Sequence, residues 1–418
     1  MKKYGNVIGT VILILVLLLT WGGPQLILML DRQEKVADEY NYSEVFYNEY
    51  DDVRVHLQET VTALQSKGYD AQLTSYAVDA SDGLYIDSIY IPATSEQTNL
   101  IVITTGVHGI EGYIGSVMLD VFWEEIYSSE SINQENTGVL VVANVNPYGM
   151  KYHRRYNENN VDLNRNFILD WNSFDTSVNK DYPKVENFLG PQNTMGNIVF
   201  HEISFYGSLL KEIIQDGADV ISDALLGGQY EYAQGVYYGG NKDEVSTAYL
   251  KDVFKQTLES EYKNIVHIDV HSGYGPRYNM VIFNSVFETM TEAESIELFG
   301  YDYIIANDSE DFYATTGDTT DYFYRLKEQL GTDNELFSTC FEFGTIGDSF
   351  LNSITSMKYT IEENQNHWNK SSNTITNEII KERYQELFYP TEKEWREKTV
   401  EDFAKACIGV LKAKLIAE

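Results

Sequence analysis

Two histidines and a glutamate stand where a metal ion would need them. His108 and Glu111 lie in Gly106-Val107-His108-Gly109-Ile110-Glu111-Gly112, after the apolar run Leu100 to Thr105 and before an amphipathic stretch, Tyr113 to Tyr127. At a strand end passing into a helix, this spacing lets both side chains turn toward one point. Catalytic zinc typically takes three protein ligands and leaves a fourth position for water, and two histidines with one glutamate is a standard set. Alone, His-x-x-Glu also fits a surface or capping role, so a third ligand must be found among the remaining histidines. His271 ends another strand-like run, Asn264 to Ser272, with Gly273 just after it. His267 and Asp269 share its face by the period of two, but at ~3.3 Å per residue His267 is about 13 Å away and cannot reach the same ion. His267 is therefore expected to make core hydrogen bonds, and Asp269 to be a carboxylate of the core or just behind the ligands. The expectation is one zinc ion (Zn2+) per chain on His108, Glu111 and His271.

Other chemistries fare poorly. His201-Glu202 does not open a His-Glu-x-x-His motif, because Phe205 holds the last position. There is no Gly-x-Ser-x-Gly elbow and no phosphate-binding Gly-x-x-x-x-Gly-Lys loop. The two cysteines, Cys340 and Cys407, exclude a cysteine zinc site and a disulfide scaffold, and are expected to be unpaired thiols. With 64 acidic against 30 basic residues the formal net charge is −34, which repels nucleic acid.

The elements that would position these residues are those of an α/β fold. Strand-like runs are Ala71 to Asp79, Leu84 to Ala93, Leu100 to Thr105, Val139 to Val145, Asn264 to Ser272, Asn279 to Asn284 and Ser338 to Thr345. In the second, Tyr85, Asp87, Ile89 and Ile91 alternate onto one side. Helical stretches are residues 31 to about 68 (with Val53, Val55, Leu57, Val61 and Leu64 inward), Leu209 to Leu226, Thr247 to Tyr262 and Glu392 to Ala417. Strands alternating with helices predict a mostly parallel mixed sheet with helices on both faces. Ligands bind such sheets at the carboxyl ends of the strands. At that rim gather His108, Glu111, Arg154, Arg155, Asn164, Arg165, His271 and Glu342. Residues 170–263 read as an insertion or lid, with glycine and tyrosine loops at Gly227 to Tyr230 and Gly235 to Gly240.

Residues 1–30 form a separate unit. Lys2 and Lys3 precede a mostly apolar stretch, Val7 to Leu30, of about 24 residues, where a bilayer span needs ~20. The expectation is an N-terminal transmembrane anchor, or else a cleaved signal peptide, with residues 31–418 as an extracytoplasmic body.

Five ordered motifs resemble the zinc carboxypeptidase (funnelin) superfamily. They are His108 to Gly112, Asn146-Pro147-Tyr148-Gly149, Asn160 to Phe167, Asp269 to Gly273 and Phe341-Glu342-Phe343. The resemblance implies that His108, Glu111 and His271 hold zinc, and that Glu342 activates water. It implies that Arg155, or alternatively Arg154, stabilises an oxyanion, and that Asn164 and Arg165 grip a substrate carboxylate. Tyr313 would be a mobile tyrosine and Thr320 would lie near the specificity pocket. The chemistry is sound in itself: a carboxylate in semi-apolar surroundings can shuttle a proton, and an arginine aimed at a tetrahedral oxygen stabilises it. The glycines around Ile110 are closer to deacylase members such as aspartoacylase. The implied substrate is a peptide or an acylated amino acid, with a non-catalytic zinc-binding protein as the remaining alternative.

Overall fold

The apolar, β-branched runs pair into one sheet of eight strands among the residues described, which in this computed structural model are 13–33, 46–128, 132–309 and 315–415. The strands are β1 (Gln72–Asp79), β2 (Leu84–Ile91), β3 (Asn99–Thr105), β4 (Thr137–Ala143), β5 (Asn264–Ser272), β6 (Met280–Asn284), β7 (Ile304–Ile305) and β8 (Glu335–Phe343), in the order β1-β2-β4-β3-β5-β8-β6-β7. The centre, β4-β3-β5-β8, is parallel; β1–β2, β2–β4 and β8–β6 are antiparallel, and β6–β7 is parallel. All residues of β3 and β5 are buried, as befits central strands covered on both faces.

The helices around the sheet are α1 (Gly23–Gln33), α2 (Tyr50–Ser66), α3 (Gly112–Val121), α4 (Pro147–Lys151), α5 (Tyr182–Leu189), α6 (Ile198–Gln215), α7 (Ala218–Leu226), α8 (Val245–Leu258), α9 (Glu292–Phe299), α10 (Thr319–Leu330), α11 (Phe350–Trp368), α12 (Thr374–Phe388) and α13 (Lys393–Lys414). Alternation along the strands divides the core. Ile101 and Ile103 of β3 face α2, α3 and α13, whereas Leu100 and Val102 face Phe254 of α8 and Phe323 of α10. A satellite cluster joins α5, α6, α7 and α11 through Val185, Phe205, Leu209, Ala224 and Met357.

Several expectations are corrected. In the first long helix Val55 is exposed, and the buried stripe is Tyr50, Val53, Leu57, Val61 and Leu64; residues 34–45 of that expected helix lie outside those described. The two sides of β2 alternate as expected, but both are buried: Ile89 and Ile91 lie in one core cluster and Ile86 in the other. The stretch Leu209 to Leu226 breaks at Gly217, whose φ of +97° is a conformation that a side chain would resist. The short edge strand β7 had no periodic signal to announce it. Cys340 and Cys407 are free thiols, as expected.

Candidate metal centre and catalytic pocket

β3 ends at Thr105, and a tight turn through Gly106 carries His108 and Glu111 to the start of α3. The turn packs on the segment holding the arginines, since Gly109 N–H donates to Arg155 O (3.2 Å) and Ile110 N–H to Arg154 O (2.9 Å). A Cβ on Gly109 would meet the Gly149 carbonyl carbon at 2.2 Å, so this glycine is demanded by backbone packing. The glycine pattern around Ile110 therefore reports the fit to α4 and does not discriminate between substrates.

His271 closes β5 beside this turn. Its Nδ1 lies 2.9 Å from Glu111 Oε2 and 3.1 Å from His108 Nδ1, and His108 Nδ1 lies 2.9 Å from Glu111 Oε1. The ligand-capable atoms of the three residues all fall within 4.8 Å of one another. Behind each ring stands a carboxylate: His108 Nε2 meets Asp162 Oδ1 at 3.1 Å, and His271 Nε2 meets Asp269 Oδ2 at 2.9 Å. With the outer nitrogens donating to these carboxylates, both Nδ1 lone pairs aim at the Glu111 carboxylate and at each other. Three electron-rich groups so close repel unless a cation sits among them. This is the pattern of metal-binding histidines oriented by carboxylates, and the set fits a zinc ion.

The charges agree with that reading. Burial favours a neutral Glu111, but the charges and hydrogen bonds of His108 and His271 outweigh it and bring the carboxyl down to about 2. Burial opposes charge on His271, yet Asp269 and Glu111 raise its proton affinity well above the usual imidazole range. Asp162 is held well below the usual carboxylate range, against its burial, by Arg155 and His108. Asp269 is likewise brought to about 2 by His271.

Glu342 is brought to the same point by register. β5 and β8 run parallel, and His271 is the Cα partner of Glu342. Phe341 and Phe343 are buried on the opposite face, leaving the carboxylate toward the pocket. Its Oε1 accepts from Tyr274 N–H at 3.0 Å. Burial, then the nearby negative charge of Glu111, push Glu342 up to about 8. Two glutamates a short distance apart thus have opposite proton affinities, an arrangement that separates a ligand from a base.

The two neighbouring arginines diverge. Arg155 lines the pocket, with Nε 2.9 Å from Asp162 Oδ2, Nη1 3.5 Å from Glu111 Oε1, and its guanidinium carbon 5.3 Å from the Tyr237 ring centroid. Arg154 turns into another cleft, where it binds Glu363 (2.7 Å) and Asn160 (2.9 Å). Asn164, Arg165 and Thr320 line the same pocket as His108, His271 and Glu342. Asn164 Oδ1 accepts from Thr319 N–H at 2.9 Å. Thr320 Oγ1 donates to Asp318, the residue that caps α10. Tyr313 lies outside the described residues. From the expected insertion, Leu225 and Tyr237 reach the pocket wall, while α8 covers the sheet. Tyr230, in the first glycine loop, donates to Arg165 O at 2.7 Å and braces that segment.

The roles of Asp162 and Thr319 were not foreseen. Asp162 stands in the Asn160 to Phe167 motif, but nothing in the chain says that it meets a histidine 54 positions away. Thr319 bridges Asp269 and Asn164, and so ties the carboxylate behind His271 to the Asn160 to Phe167 segment.

The family profile described as "Protein of unknown function (DUF2817)" matches residues 46–402. The chain belongs to this family. No curated protein matches its sequence. Among solved structures it is similar to carboxypeptidase A from Helicoverpa armigera, at 15% identity over 82% of this chain and 80% of that one, with a TM-score of 0.46. It is also similar to bovine thrombin-activatable fibrinolysis inhibitor bound to tick carboxypeptidase inhibitor, at 14% identity over 81% and 98%, TM-score 0.41. A third is succinylglutamate desuccinylase from Chromobacterium violaceum, at 11% identity over 77% and 74%, TM-score 0.33.

Proposed function

We propose that this chain is a zinc-dependent hydrolase of amide or peptide bonds, acting as a carboxypeptidase outside the cytoplasm. The observation that carries this reading is one pocket holding a buried His108–Glu111–His271 set and, beside it, a separate glutamate whose affinity for protons is raised. Zinc held there supplies a Lewis acid that acidifies water and polarises a carbonyl. Glu342 takes the proton of the attacking water and returns it to the departing amine, a task suited to an affinity near neutral pH. Arg155 offers a fixed cation to the oxygen on which negative charge develops. Asn164 and Arg165 offer an amide and a planar fork for the terminal carboxylate of the substrate. Extracytoplasmic action is supported by the apolar helix Leu13–Asp31, which has the length and mean hydropathy (2.1) of a bilayer span.

The test is kcat/KM for a peptide with a free or an amidated C-terminus, on the wild type and on Arg165→Ala. Each charge-assisted bond to the carboxylate is worth about 1.5–3 kcal/mol, roughly a tenfold to hundredfold change. Amidation and Arg165→Ala are expected to cost similar amounts singly and little more together, the signature of a direct pair. Equal cleavage of acid and amide by the wild type would remove the carboxypeptidase reading. Release of an acyl acid from N-acyl amino acids, with no peptide cleavage, would assign the pocket to a deacylase.

A further inference from the structure

The charge pattern of α6 is turned inside out. Glu202 points inward and accepts from Lys358 and Arg383, and His201 faces Glu362 at 3.3 Å. The outward stripe is apolar: Phe200, Ile203, Leu210 and Ile214, at spacings of three, seven and four residues, are 49%, 66%, 59% and 75% exposed. Phe350 and Leu351, opening α11, are 68% and 71% exposed. Phe205 and Leu209 of α6 pack against Met357 of α11, so both helices belong to one cluster. Single exposed apolar residues are ordinary, whereas a continuous stripe marks an interaction surface.

The neighbour of α6 says what covers it. Asn197, the residue that caps α6, donates its side-chain N–H to Thr20 O at 3.0 Å. Thr20 lies in the middle of the apolar helix Leu13–Asp31, and Val199 packs so closely on Gly23 that a Cβ there would meet it at 2.9 Å. Ile198 and Leu28 share a buried cluster. At ~1.5 Å per residue, Thr20 is about 16 Å along the helix from Asp31. That is about half the ~30 Å thickness of a bilayer's hydrocarbon, so insertion of this helix draws the first turn of α6 into the lipid with it, apolar stripe outward.

We propose that the stripe Phe200, Ile203, Leu210 and Ile214 of α6, with Phe350 and Leu351 of α11, lies in the surface of a lipid bilayer beside the N-terminal helix. This rests on reading that helix as membrane-inserted. The body is then seated on the lipid as an interfacial helix is, and not hung from a tether. Leu225 of α7 and Ser356 of α11 line the catalytic pocket, so the same helical cluster supplies both the lipid-facing stripe and part of the pocket wall.

The experiment uses the full-length chain in vesicles of phosphatidylcholine and phosphatidylglycerol. Nitroxide labels are placed by Leu17→Cys, Ile203→Cys, Leu210→Cys and, as an aqueous reference, Glu328→Cys, each in a Cys340→Ser background; Cys407 is fully buried. Relaxation of each label by oxygen, which concentrates in lipid, is compared with relaxation by a water-soluble nickel chelate. The expected result is a shift from nickel-dominated to oxygen-dominated relaxation at 203 and 210 on adding vesicles, with none at 328. Nickel-dominated relaxation at 203 and 210 with oxygen-dominated relaxation at 17 would overturn the proposal and keep the anchor. Nickel-dominated relaxation at all three would overturn both. Shielding of 203 and 210 from both agents, with dipolar broadening between labels, would give the stripe to a second copy of the chain.

Discussion

His267 and His271 stand four positions apart on β5, on the same face, in two different chemical regions. In mid-strand, His267 is held between two hydroxyls, Thr104 Oγ1 at 2.9 Å and Ser338 Oγ at 2.7 Å, with Phe254 and Phe323 against its ring. Burial brings its proton affinity down to about 4, so it is neutral. At the strand end, His271 is buried just as completely, but Asp269 and Glu111 flank it and favour a positive charge. Burial alone therefore separates nothing. What differs is the company that the strand's end can gather: a turn from β3, a partner position on β8 and a carboxylate from the Asn160 to Phe167 segment. Arg154 and Arg155 repeat the lesson with adjacent residues, since only Arg155 reaches Glu111 and Asp162.

The largest expected effect breaks the histidine pair apart. His271→Ala should abolish stoichiometric zinc binding and hydrolysis, whereas His267→Ala should keep the metal and lose about 1–3 kcal/mol of stability by stranding the Ser338 hydroxyl, since Thr104 still donates to Asp269. Metal analysis of the purified variants decides; zinc retained by His271→Ala would displace the site.

Glu342→Gln comes next. Removing a base without removing a ligand should lower kcat by about 10²- to 10⁴-fold with zinc unchanged. Metal lost in this variant would make Glu342 a ligand and redraw the division between the two glutamates.

Asp269→Asn tests the carboxylate behind His271. Zinc affinity should fall about 10- to 100-fold, as when other residues that orient metal ligands are removed. Competition with a chelator measures it, and an unchanged affinity would leave Asp269 a core residue like His267.

The smallest effect concerns the mid-strand histidine and acid. A histidine whose folded-state affinity is depressed contributes stability that is present above about pH 6.5 and lost as pH falls toward 4. Between pH 7 and pH 5 this amounts to about 2 kcal/mol for one such group. Urea unfolding of wild type and His267→Gln should show a shallower acid loss in the variant; identical slopes would mean that His267 is not the titrating group.

Much of this was legible before any coordinates. The β-branched runs at Leu100 to Thr105 and Asn264 to Ser272 announce buried strands because only a doubly covered strand tolerates unbroken apolarity. His108-x-x-Glu111 and His271 were legible as a candidate ligand set because their types, their spacing and their position at strand ends limit what they can do. Asp162 and Thr319 were not, since a hydrogen bond across 54 positions, or from a helix start to a strand, leaves no periodic trace. The burial of both faces of β2 was hidden for the same reason: it depends on which distant elements pack over them.

The chain's own order of residues thus determined most of its strands and helices and the candidate ligand set, because local periodicity and side-chain chemistry act over a few positions. The tertiary structure alone decided which arginine meets the acidic cluster: Arg155 turns to Asp162 and Glu111, and Arg154 to Glu363. It also decided that Glu342 stands beside His271, because the register of two parallel strands is a property of their packing and not of either strand. The apolar stripe of α6 belongs to the same class. Its residues are plain in the sequence, but only the pairing of Glu202 with Lys358 and Arg383 turns that face outward.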